Sequence, residues 1–160
     1  MESSAFSVLE KELLDIKVKL IKQISDRKYK VTIPQGFDPN LILIKEDPIY
    51  KLYLIMGTTE SGVIPFGNDY LFISNSKAKI TFWKKFHSGM LPVKAEIDGH
   101  KTTEAYHSHL RTTPYITATE ICTFRLYAQY TELEKFSVYS PAIQKTMTYI
   151  LKTNKIEVEE

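Results

Sequence analysis

Two histidines, His107 and His109, stand two positions apart in a run over residues 102–109 that reads as a β-strand. Alternate residues of a strand face the same side, so both imidazoles would project together and offer two nitrogens to one tetrahedral metal ion. Thr117 and Glu120 follow where a helix should begin. A carboxylate in the first turn of a helix near a strand end can add a third ligand and leave a fourth position to water, the open arrangement that a catalytic zinc uses. Each feature also has a plainer reading. A His-x-His pair on a strand is more often a surface or satisfied polar pair. Taken alone, Thr117-x-x-Glu120 is more simply read as a capping box, in which Glu120 reaches back to the Thr117 amide. The two uses of Glu120 compete, because one carboxylate must serve both the cap and the metal.

The remaining chemistry-bearing residues read as structural. His87 falls in a loop and His100 beside Asp98-Gly99, and both are expected at the surface. Cys122 is the only cysteine, which excludes an intrachain disulfide, and its place on the apolar side of a helix makes it a packing residue. No Gly-rich phosphate loop, Cys-x-x-Cys pair or Gly-x-Ser-x-Gly elbow is present. A composition 43% hydrophobic and 25% charged is that of a soluble globular chain, and 160 residues suffice for one domain with a core. A net charge of +2, with no basic run beyond adjacent pairs, gives no reason to expect nucleic acid or an anionic membrane as partner. With no secretory-type start and no long apolar run, the expected location is the cytoplasm.

These residues need elements to hold them. Phe6, Leu9, Leu13, Ile16, Leu20 and Ile24 recur at spacings of three and four, predicting an amphipathic helix over 5–26, capped by Ser3 or Ser4. Its stripe would pack on the domain or serve a dimer or partner contact. Residues 41–44 read as a strand, and 49–56 as either a strand or a helix opened by Asp47-Pro48. Beyond Gly57 the pattern turns β-rich. One hairpin is expected from 70–74 and 78–83, and a second from 92–97 and 102–109 around Asp98-Gly99. A helix over 117–130 and strands over 136–139 and 146–151 follow, with the acidic end 157–160 frayed. The order is mixed α/β in a single domain spanning 1–160, with the helix within 1–27 and a core over 41–151.

The segment Ala105-Tyr106-His107-Ser108-His109, then Pro114, then Thr117-Ala118-Thr119-Glu120 resembles the signature of the JAMM (JAB/MPN-domain) zinc metalloprotease family. That signature runs His-x-His, seven residues, Ser, two residues, Asp, and the gap from Leu110 to Ile116 has the family's length. Upstream, Glu60-Ser61-Gly62-Val63-Ile64-Pro65-Phe66-Gly67 resembles the family's glutamate and its glycine-bearing strand. The departures are Glu120 for Asp, Thr117 for Ser, Leu110 for a proline, Val63 for a glycine, and Pro65 within a strand, where it removes a ladder donor.

The resemblance implies an α+β fold, a mixed sheet flanked by helices in a cytidine-deaminase-like architecture, with the N-terminal helix as an addition. It implies Zn2+ held by His107, His109 and Glu120, with Glu60 as general base on the bound water and Thr117 donating to the tetrahedral oxyanion. It implies a prokaryotic-type, deubiquitinase-like isopeptidase whose protein substrate carries a ubiquitin-like modifier or extended C-terminal tail. Two other readings stand beside it: the same fold with a degenerate site, used as an interaction module, and an unrelated small binding or immunity protein.

Overall fold

Spacings of three and four build helix α1 (Val8–Ile24), which starts one turn later than predicted because Ser7 and Glu10 form a reciprocal capping box there. Ser3 and Ser4 lie outside the described residues, 6–159 of this computed structural model. Ile16, Leu20 and Ile24 are buried and Leu13 packs against them, whereas Phe6 and Leu9 of the predicted stripe are exposed.

Strands β1 (Asp38–Glu46) and β2 (Ile49–Gly57) pair antiparallel around Asp47-Pro48, joined by a cis peptide. The segment left open between strand and helix is therefore a strand, with Tyr50, Leu52, Leu54 and Met56 pointing into the core. After β3 (Val63–Gly67), strands β4 (Tyr70–Asn75) and β5 (Ile80–Lys85) form the first expected hairpin. Next come β6 (Met90–Lys94), β7 (Glu96–Ile97), β8 (His100–Lys101) and β9 (Glu104–Ser108). Helix α2 (Ala118–Tyr127) runs on into a 3-10 turn, Ala128–Tyr130. Strands β10 (Lys135–Ser140), β11 (Lys145–Ile150) and β12 (Lys155–Val158) complete the chain.

The second expected hairpin is corrected. Asp98-Gly99 closes only the two-residue strands β7 and β8. Its expected arms part, β6 joining β3, and β9 running parallel to β10. The turn forms where its chemistry predicts, but pairing follows burial: Ala105 of β9 and Val138 of β10 belong to one core. Fraying of the acidic end is corrected for Glu157 and Val158, since β12 pairs with β11 as an exposed edge whose charges suit solvent; Glu160 lies outside the described residues. Pro65 stands opposite Pro92 in the two-stranded β3–β6 ladder, where neither ring has an amide to lose.

The fold is α+β, mostly strands, with mixed sheets. An antiparallel sheet β1-β2-β4-β5 carries α1 and one apolar cluster, with Leu20, Leu52 and Phe72 at its centre. A second sheet, β12-β11-β10-β9, mixed because β9 is parallel to β10, shares another cluster with α2, centred on Phe66, Phe124 and Phe136. Among the described residues no helix is long and apolar enough to cross a membrane.

Candidate metal centre

The two sheets meet at a group of four side chains. From the first sheet, Tyr70 pairs with Lys85, which sets Asp69 beside Phe86, and the Phe86 amide donates to the Asp69 carbonyl at 3.0 Å. His87 follows at once. Gly67 makes this approach possible: its φ is +85°, and a Cβ there would collide with the Gly89 carbonyl. From the second sheet, β9 carries His107 opposite Val138, and the His109 amide donates to the Tyr139 carbonyl at 2.9 Å. The loop after His109 is drawn toward the first sheet, where the Thr113 hydroxyl donates to Phe86 O and Lys84 Nζ to Thr112 O. It delivers Thr117 as the N-cap of α2, and Glu120 in its first turn.

The Oε1 atom of Glu120 lies 2.7 Å from His107 Nε2, 2.8 Å from His109 Nε2 and 3.3 Å from His87 Nε2. His87 and His109 place their Nε2 atoms 3.2 Å apart, and the four ligand atoms all fall within 4.8 Å of one another. His87, His109 and Glu120 are buried, and His107 is nearly so, its ring parallel to Phe136 and tilted against Phe66.

The far nitrogens of His87 and His109 are fixed as well. His87 Nδ1 donates to Asp69 Oδ1 at 2.6 Å, and Thr119 Oγ1 donates to the other oxygen of that carboxylate. His109 Nδ1 donates to the Thr113 carbonyl at 2.9 Å. With the proton committed to Nδ1, a neutral imidazole turns its Nε2 lone pair toward the cluster. Lone pairs aimed at a carboxylate oxygen repel it unless protons or a cation lie between. Burial disfavours a charged His87, but its hydrogen bonds to Asp69 and Glu120 outweigh that and raise its pKa to about 10. Burial also opposes the Glu120 carboxylate, yet hydrogen bonds from His107, His109 and His87 hold it well below the usual range. The group His87, His107, His109 and Glu120 could hold a metal ion. Tetrahedral zinc with bonds near 2.0–2.1 Å would set ligand atoms about 3.3 Å apart, so Glu120 Oε1 would draw back from His107 and His109 while ligand atoms as far as 4.8 Å apart would close in.

The predicted competition at Glu120 is corrected. Its Oε2 accepts from the Thr117 amide at 2.7 Å and the Thr117 hydroxyl at 2.8 Å, while Oε1 alone faces the imidazoles. Cap and cluster coexist because a carboxylate has two oxygens. His87, expected at the surface, is 4% exposed and belongs to the cluster; His100 is exposed as expected. The structure brings His107, His109, Glu120 and Thr117 together and leaves Glu60 out. Glu60 is exposed and lines a cavity of about 590 Å³ with Ser61, Lys94, Lys101 and Glu132. Phe66 is the β3 residue that meets His107, and at about 3.3 Å per residue Val63 lies about 10 Å back along that strand, with Glu60 beyond it. Sequence reading missed His87 and Asp69, for no short motif spans residues 18 positions apart; the one available signal was a histidine closing an aromatic strand end, Phe86-His87. Cys122 is half-buried, lining a small apolar cleft with Ile42, Tyr53 and Ile55, and burial raises its thiol pKa.

Compared with known proteins, the chain matches no family model, no curated protein and no solved structure.

Proposed function

We propose that His87, His107, His109 and Glu120 bind one zinc ion as a closed four-ligand centre, and that this centre staples the two sheets of a protein-interaction module. The observation that carries the reading is His87 Nε2, 3.2 Å from His109 Nε2, at the position that a hydrolytic site would leave to water. Three imidazole nitrogens and one carboxylate oxygen are a donor set for zinc, and structural zinc sites are closed and four-coordinate. Bound zinc would supply a cross-link: His87 follows β5 of the first sheet, His107 and His109 belong to the second, and Glu120 lies on α2. The exposed Glu60, away from the cluster, agrees with a site that holds rather than hydrolyses.

A second reading is the zinc isopeptidase of the JAMM type, favoured by the match of His107, His109, Thr117 and Glu120 to that family's spacing. On it the domain is JAB/MPN-like, His87 swings away to admit water, and the protein substrate carries a ubiquitin-like modifier. One experiment separates the two. Zinc content and the visible spectrum of the cobalt-substituted protein are compared in the native chain and in His87→Ala, with cleavage of ubiquitin-like conjugates assayed in both. Near one metal per chain, a tetrahedral cobalt spectrum that changes in His87→Ala, and no cleavage support the closed centre. Cleavage by the native chain supports the hydrolase, and absence of metal even after zinc is supplied overturns both.

A further inference from the structure

Helix α1 carries a second apolar stripe that the domain leaves uncovered. While Ile16, Leu20 and Ile24 face the sheet, Leu14, Val18 and Ile21 are 50%, 43% and 36% exposed on another face. Spacings of four and three are those of a coiled-coil seam, and three such residues in line are not the scattered surface hydrophobics of an ordinary helix.

The charges beside the seam say what fits it. Asp15 and Lys22 border one flank, and Glu10 and Lys17 the other. A parallel copy would set Glu10 against the partner's Asp15 and Lys17 against the partner's Lys22, like against like at both contacts. An antiparallel copy, with Val18 on its two-fold axis, sets Asp15 against the partner's Lys22, twice by symmetry. Lys17 is the one like-charge contact left at the axis, and its Nζ is drawn aside to the Leu41 carbonyl of its own chain at 2.7 Å. Asp15 is paired on its own helix with Lys19, while Lys22 has no ion-pair partner among the described residues. We propose that this stripe is an isologous dimer interface, α1 against α1 of a second copy, antiparallel and centred on Val18.

A single helix pair of this length is a small interface, so the dimer is weak and reversible, with a Kd in the micromolar range. Sedimentation of the full chain from about 1 µM to 500 µM tests it: mass should rise toward that of two chains, and Val18→Glu should remain a monomer with unchanged helix content by circular dichroism. Orientation is read by oxidation in a Cys122→Ser background. Val18→Cys should cross-link at the axis, and Leu14→Cys should not, since the two copies of residue 14 lie on opposite sides of that axis. A native chain monomeric throughout, a Val18→Glu variant that still dimerises, or cross-linking of Leu14→Cys as fast as Val18→Cys overturns the proposal.

Discussion

Asp69 Oδ1 lies 2.6 Å from His87 Nδ1, both side chains buried, and this contact decides which nitrogen of the ring faces His107, His109 and Glu120. Thr119 donates to the far oxygen of Asp69, and Thr119 belongs to the same helical turn as Glu120, so the histidine of one sheet is oriented through the helix that carries Glu120. The carboxylate–histidine pair is the arrangement that holds a metal-ligating imidazole in register.

Asp69→Asn is therefore expected to leave the ligand count intact and weaken zinc binding by about 10–100-fold, the usual effect of removing such a partner. Competition against a chromophoric chelator measures it. An affinity equal to that of the native chain would mean that Asp69 does not orient the ring.

The Thr117 hydroxyl joins the cap to the centre. It accepts from the Glu120 amide at 3.2 Å and donates to Glu120 Oε2 at 2.8 Å. Thr117→Val keeps the shape and removes both bonds, so metal-free protein should lose about 0.5–2 kcal/mol in denaturant unfolding, as helix caps do. Thr117→Ser should recover most of the loss, and an unchanged midpoint in the valine variant would show that the cap contributes nothing.

What the sequence made legible follows from how local each signal is. Period placed α1 but not its cap, the Thr117 cap placed α2, and turn residues placed the β4–β5 hairpin, because residues within a few positions set them. His107, His109 and Glu120 were legible as a group because strand alternation and one helical turn carry them to a common point. His87 and Asp69 were not, since they reach it through the β4–β5 register, and a one-residue slip would turn them elsewhere. The departure of β9 from its expected hairpin was hidden likewise: its partner β10 lies beyond α2, and only shared burial with Val138 selects it.

Gly67 tests that placement directly. A methyl group added at φ +85° meets the Gly89 carbonyl, on the backbone that leads back from His87, and neither chain can yield cheaply. Gly67→Ala should lower stability by about 1–3 kcal/mol and reduce zinc occupancy in the folded fraction. Full occupancy at native stability would show that the Asp69 and His87 backbones do not depend on this close approach.

The charge on His87 makes stability and zinc affinity depend on pH in opposite senses. Burial alone would lower the His87 pKa, but Asp69 and Glu120 raise it to about 10, above the ordinary 6.5. A raised pKa contributes stability that is fully present below about pH 6.5 and is lost as pH climbs toward 10. Metal-free protein should therefore melt at progressively lower temperature from pH 7 to 9.5. Zinc requires the same Nε2 without its proton, so its affinity rises over that range. The gap in Tm between zinc-loaded and metal-free protein should widen with pH, read by calorimetry at pH 6.5, 8 and 9.5 in one buffer series. A metal-free Tm flat across that window would mean that His87 folds uncharged, with no buried imidazolium for the metal to displace.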